Sequence, residues 1–143
     1  MVVDAQGQVR ALEIALAKVA DRWSLLVVEA LLDGPRRFNQ LQEALGGIAT
    51  NVLAQRLRHL EREGVIVAHP YSRRPLRHAY ELTRAGKDLA GALRLLTQWG
   101  VDHGGIGESP LHAACGTTLE ARWYCPTCAR VVEDDEADEL RYL

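Results

Sequence analysis

Two groups of residues in this 143-residue chain have the types and the spacing to do chemistry. The first lies in TNVLAQRLRHLEREG, residues 50–64, where Asn51, Gln55, Arg58 and Arg62 fall at i, i+4, i+7 and i+11. On a helix that spacing lines one face with amides and guanidiniums. Such groups read base edges in DNA: an Asn or Gln amide is bidentate to adenine, and an Arg is bidentate to guanine or clamps a phosphate. A surface helix that merely happens to be basic would carry the same residues, and Glu61 and Glu63 stand close by, so the flanking sequence has to decide. The second group is His112, Cys115, Cys125 and Cys128, written as HAAC, a nine-residue gap and CPTC, and it holds all three cysteines of the chain. Two pairs with two-residue spacers let adjacent turns grip a tetrahedral ion, with zinc favoured. Four protein ligands leave no open position, so the zinc would be structural. Two other chemistries fit the same residues: reduced cysteines packed in a small hairpin, and a Cys125/Cys128 pair that cycles as a dithiol.

The elements that must position the first group follow from periodicity. Opposite its polar face, Leu53, Leu57 and Leu60 form an apolar stripe, and Gly64 ends the helix. Upstream, Val9, Leu12, Leu16 and Val19 predict an amphipathic first helix over residues 8–20. Asp21 is a candidate N-cap for a second helix, whose WSLLVVEALL, residues 23–32, is apolar nearly all round and so belongs at a domain centre. Gly34 and Pro35 stop it. Phe38, Leu41 and Leu45 mark a short third helix, and Gly46 and Gly47 turn into the helix starting at Thr50. The third and fourth helices therefore read as a helix-turn-helix.

After Gly64 the period changes to that of strands at residues 65–67 and 79–82, with PYSRRPLR, residues 70–77, as the loop of a hairpin. The loop carries Arg73, Arg74 and Arg77, and a basic hairpin directly after a helix-turn-helix reads as a wing that reaches backbone phosphates or a minor groove. The helical period returns over residues 83–103, with Leu89, Leu93, Leu96 and Gly100 on one line and Ala92, Leu95 and Trp99 beside it. That helix is more apolar than a small domain needs, and a partner helix is its natural cover. The tail after Gly104 should form a small hairpin from residues 119–124 and 129–133, with Trp123 and Tyr124 as its apolar footing.

A hydrophobic content of 48% suffices for one core, and no apolar run of about 18 residues or cleavable leader points to a membrane or to secretion, which predicts a cytoplasmic protein. The net charge of -2 hides a segregation: residues 36–94 carry eleven Lys/Arg against five acids, while residues 133–143 carry six acids against Arg141. The basic charge lies where a DNA face requires it. The final acids, EDDEADE, read as a solvated end. Glycine-rich phosphate loops, paired acids in a cleft and Ser/His/Asp arrangements are missing from the pattern, so an enzyme is not expected. Asp21 and Arg22 read as a cap and a local ion pair. His59 and His78 lie near enough to the DNA face for a phosphate contact.

Residues 8–103 resemble the HxlR family of bacterial, MarR-like winged helix-turn-helix transcriptional regulators. The resemblance is carried by DRW at residues 21–23, GPRRF at 34–38, VLAQRLRHLEREGVI at 52–66, YELT at 80–83, Gly86 and Trp99. It implies a dimer paired through its first and last helices, with the fourth helix in the major groove and the wing alongside. Redox-sensing members carry a cysteine just before or at the start of the first helix; here that stretch reads GQVRAL, which excludes thiol sensing at that position. Tailed members carry a similar His-Cys-Gly and Cys-x-x-Cys pattern, matched here by Gly116 after Cys115, with Ala129 where glycine often follows the last cysteine.

The expectation is thus an α+β fold: a helix-rich winged helix-turn-helix with a two-stranded β-wing over residues 8–103, then a small zinc-ribbon-like hairpin and acidic tail over residues 104–143. As a homodimer it would bind double-stranded DNA at an inverted-repeat operator, more as a repressor than an activator, with a small-molecule effector as a further compatible partner. Asn51, Gln55 and Arg58 would give specificity, and Arg36, Arg37, Thr50, Arg73, Arg74 and Arg77 affinity. The rival is a ligand- or redox-sensing protein-interaction module on a winged-helix scaffold that no longer binds DNA.

Overall fold

The structure is a computed structural model that describes residues 10–132. Residues up to Leu93 form one compact unit and those from Arg94 onward a second.

In the first unit, α1 (Ala11–Val19) leads to α2 (Arg22–Ala30). Asp21 is the N-cap of α2 as expected: its Oδ1 accepts from the N–H groups of Trp23, at 3.1 Å, and Ser24, at 3.0 Å. The two-residue strand β1 (Arg36–Arg37) runs into α3 (Phe38–Ala44), and the Gly46–Gly47 turn feeds α4 (Thr50–Arg62). α4 ends in a C-cap in which Val65 N–H bonds to Leu60 O and Gly64 N–H to Glu61 O, so its last carbonyls are satisfied as the chain turns into the sheet.

β2 (Ile66–Arg73) and β3 (Leu76–Leu82) pair antiparallel, and β1 adds to the other side of β3, giving the order β1-β3-β2. This corrects two expectations. The wing is not two short strands around an eight-residue loop: the strands run almost to the tip, where only Arg74 and Pro75 turn. Pro70 did not break β2 because β2 is an edge strand and one side of its backbone needs no ladder bond. The sheet also has a third strand, β1, too short for any periodicity to reveal.

The single helix expected over residues 83–103 is two: α5 (Arg84–Lys87), N-capped by the Thr83 hydroxyl on Gly86 N–H, and α6 (Ala90–Gly104). Gly86 lets α5 sit against Val65, just ahead of β2, and against Leu82 of β3. A Cβ built there would stand 2.2 Å from Val65 O, closer than any side chain can approach.

The core of the unit gathers Val27, Val28 and Leu31 of α2, Leu41 of α3, Ile48, the α4 stripe Leu53, Leu57 and Leu60, and Val65, Ile66 and Leu82 of the sheet. Leu53 and Leu60 are fully buried and Leu57 is 2% exposed, which fixes the rotation of α4 about its axis and with it the direction of the opposite face. Leu89 and Leu93 pack against this core, and α1 contributes Val19 while Leu12, Ile14 and Leu16 remain exposed.

In the second unit, Leu111 and Thr118 form an isolated antiparallel bridge, and β4 (Trp123–Cys125) pairs with β5 (Arg130–Val132). The expected tail hairpin is present, with shorter strands; Glu133 and the acidic end lie outside the described residues.

Candidate nucleic-acid interface

The polar face of α4 begins at its N-terminus. Thr50 is the first helical residue, and its hydroxyl accepts from Gln42 Nε2 of α3 at 2.9 Å, tying the two helices of the motif across the turn. The first-turn N–H groups of α4 lack an intrahelical partner, which makes this end a place for a phosphate. Asn51, Gln55 and Arg58 follow on the exposed face, one turn apart, with Arg62 exposed beyond them. Rotation about α4 thus presents two amides and a guanidinium to solvent together.

Arg56 faces the other way. Its guanidinium lies 3.4 Å from Asp21 Oδ2, so the ion pair expected between the neighbours Asp21 and Arg22 instead joins residues 35 apart in sequence. Arg22 stacks on Trp23, 4.8 Å above the ring. Burial raises the Asp21 carboxyl, but hydrogen bonds from the Ser24 hydroxyl and N–H, the charge of Arg56 and the N–H of Trp23 outweigh it and hold the group below the ordinary carboxylate value. The cap of α2 is in this way locked to the middle of α4.

The His59 ring nitrogen Nε2 lies 2.9 Å from Lys18 O, and Lys18 Nζ pairs with Glu63 at 3.1 Å. His59 is therefore engaged with α1, which removes it from the DNA face where the sequence had left it.

The wing carries Arg73, Arg74 and Arg77 together at its tip, all exposed: Arg73 is opposite Leu76 and Ser72 opposite Arg77. A register shift between Pro70 and Ser72 leaves Tyr71 out of the ladder, and the Arg37 guanidinium of β1 lies over its ring, 4.3 Å from the centroid. Arg37 is opposite Ala79 in the ladder. Tyr71 is a partner the sequence did not reveal, because its role depends on the bulge and on β1.

Arg36, expected to contact phosphate, points elsewhere. Its Nε donates to Ala30 O at 2.6 Å and its terminal nitrogen lies 3.5 Å from Asp33, so it caps the C-terminal end of α2. The adjacent arginines of GPRRF alternate sides of a strand, and only Arg37 stays on the outer side.

Between α4 and the root of the wing lies a cleft of about 280 Å³ lined by Leu57, Arg58, Glu61, His78 and Tyr80 among others. Burial and the charge of Glu61 raise the Tyr80 hydroxyl, with Arg58 opposing, so it remains a neutral donor. His78 thus lines the cleft beside Arg58.

In the tail, His112 Nδ1 lies 3.2 Å from Cys115 Sγ, and Cys125 and Cys128 are hydrogen-bonded to each other. The Thr117 hydroxyl and N–H hold the Cys115 thiol below its ordinary value; the N–H and thiol of Cys128, the N–H of Thr127 and the charge of Arg130 do the same for Cys125. Among the described residues no three His, Cys, Asp or Glu side chains converge on one ion position. The expected ligands therefore stand as two pairs, each in its own turn.

A short helix, a glycine turn, an exposed polar helix rotated by its buried stripe and a basic hairpin behind it define a winged helix-turn-helix. The HxlR-like helix-turn-helix family matches residues 18–106 of the chain. The HTH-type transcriptional regulator Rv3095 of Mycobacterium tuberculosis, itself uncharacterized, is 39% identical over 122 residues, spanning 82% of this chain and 77% of that one. The crystal structure of the HTH-type regulator YtcD superposes with a TM-score of 0.64 at 31% identity, covering 68% of this chain and all of that one. PA1374 from Pseudomonas aeruginosa, described as a transcription factor, gives 0.69 at 30% identity over 86% of both chains. The chain belongs to the HxlR-like family of helix-turn-helix transcriptional regulators. Among the described residues no helix is long and apolar enough to cross a membrane.

Proposed function

We propose that this regulator binds an inverted-repeat operator as a homodimer in the cytoplasm and represses the genes beside it. Asn51, Gln55 and Arg58 contact base edges in the major groove. The N-terminus of α4 at Thr50 takes a phosphate, and Arg37, Arg73, Arg74 and Arg77 hold backbone or minor groove. The observation that carries this is the rotation of α4: its leucine stripe is buried, so the amide and guanidinium face is fixed outward next to a basic wing in the same unit. Leu12, Ile14 and Leu16 on α1, and Leu95, Leu96 and Trp99 on α6, are 44–63% exposed, a large apolar load for an isolated chain, and burying them in a dimer supports the pairing. Two copies would set recognition helices one DNA turn apart, about 34–36 Å.

For a small-molecule effector the cleft beside Arg58 is the place the geometry supports, since an occupant there competes with base reading.

The test is fluorescence anisotropy against the DNA upstream of the protein's own gene and against random DNA, at several salt concentrations. Selective binding that falls steeply with salt is expected. Equal affinity for both DNAs would leave the winged helix as a scaffold for protein contacts.

A further inference from the structure

The two pairs of donors in the second unit sit in turns built alike. In the first, Leu111 bridges Thr118, His112 N–H donates to Thr117 O at 2.8 Å, and the N–H groups of Cys115 and Gly116 both donate to His112 O, at 3.2 and 2.7 Å. In the second, β4 and β5 pair Cys125 with Arg130, and the N–H groups of Thr127 and Cys128 bond to the Cys125 sulfur. The residue straight after the second donor is left-handed in both: Gly116 at φ 70° and Ala129 at φ 53°. Ala129 is the one non-glycine with positive φ among the described residues, in a region that side-chain-bearing residues seldom occupy. Each turn thus folds its two donors against each other, and in the second turn backbone N–H groups are aimed at a sulfur.

We propose that the two turns are the halves of one zinc site, in which His112, Cys115, Cys125 and Cys128 coordinate a single Zn²⁺ tetrahedrally and tie the tail into one piece. A dithiol acting alone would need only the CPTC turn; the matching HAAC turn, with its imidazole 3.2 Å from a sulfur, is what selects a metal. Three thiols and an imidazole suit a borderline-soft divalent ion, and four protein donors make the site structural. The pairs do not converge as they stand, so ion binding draws one turn onto the other. The nine residues between them reach up to about 30 Å, which allows the approach. Cys115 and Cys128 are exposed and Cys125 half-buried, so an ion can enter.

The experiment is anaerobic Co²⁺ titration of the reduced full-length chain, followed by Zn²⁺ competition. One Co²⁺ per chain is expected, with the intense visible bands of a tetrahedral ion and near-ultraviolet thiolate-to-metal charge transfer, both bleached by Zn²⁺. His112→Ala, Cys115→Ser and Cys128→Ser should each weaken Zn²⁺ by at least about tenfold. His112→Cys should restore binding with stronger charge transfer, which separates ligand loss from a collapsed tail. Unchanged affinity in the His112→Ala/Cys115→Ser double variant would overturn the proposal, since the ion would then rest on the CPTC turn alone. No uptake by the reduced chain, with hydrogen peroxide closing a Cys125–Cys128 disulfide, would overturn it in favour of a dithiol pair.

Discussion

Arg36 and Arg37 are identical in sequence terms and differ in everything that follows. Arg36→Ala removes a charge-assisted bond to Ala30 O and should lower the melting temperature while leaving the salt dependence of DNA binding unchanged. Arg37→Ala should do the reverse, lowering the slope of log K against log salt by about one unit, as should Arg73→Ala at the wing tip. Arg58→Ala should cost roughly 1–3 kcal/mol on the operator and relax one base position, read by anisotropy on single-base variants. Asp21 adds a pH dependence. Its folded value lies below the unfolded one, about 3.9, so its contribution to stability is complete above that pH and is lost as pH falls through the lower folded value. Asp21→Asn, which keeps a cap, should therefore melt earlier than the wild type near neutral pH, and the gap should close in acid. The shared exposed face of Asn51, Gln55 and Arg58 was legible because a helical period alone places it. The directions of Arg36 and Arg56 were not, because each depends on a partner from another element.

At the scale of elements, the fold turns on where α4 and α5 sit. Leu57→Ala empties a site at the centre of the α4 stripe and should cost about 2–5 kcal/mol, with DNA affinity falling as the helix loses its fixed rotation. Gly86→Ala forces a methyl onto Val65 O and should cost about 1–3 kcal/mol in urea unfolding, because backbone rather than a flexible side chain must move. The helices of the motif and their caps were readable from spacing. The wing was misjudged in length because Pro70 breaks a central strand but not an edge, and edge position is a property of the sheet. The split of residues 83–103 into α5 and α6 escaped for a related reason. The apolar period runs through both, and the break is a turn at residues 88–89, where Leu89 N–H bonds to Gly86 O at 3.2 Å.

For the molecule as a whole, the exposed apolar residues of α1 and α6 set the expected oligomer. Trp99→Glu should shift sedimentation equilibrium from dimer toward monomer and weaken operator binding with it, since half-sites are read together. An unchanged dimer with unchanged affinity would place the pairing surface elsewhere. The net charge of -2 does not oppose DNA binding, because the positive excess is confined to residues 36–94 and the acids gather at the other end.

The sequence by itself determined the helix-turn-helix, the polar face of α4, the basic wing and the HxlR resemblance, because helical period, capping residues and charge are local and survive without knowledge of any neighbour. The tertiary structure decided which arginines remain outside, that β1 joins the wing, that Arg37 rests on Tyr71, and that His59 is held by α1. Those outcomes depend on contacts between residues as distant in sequence as Arg36 and Tyr80, and no local pattern encodes them.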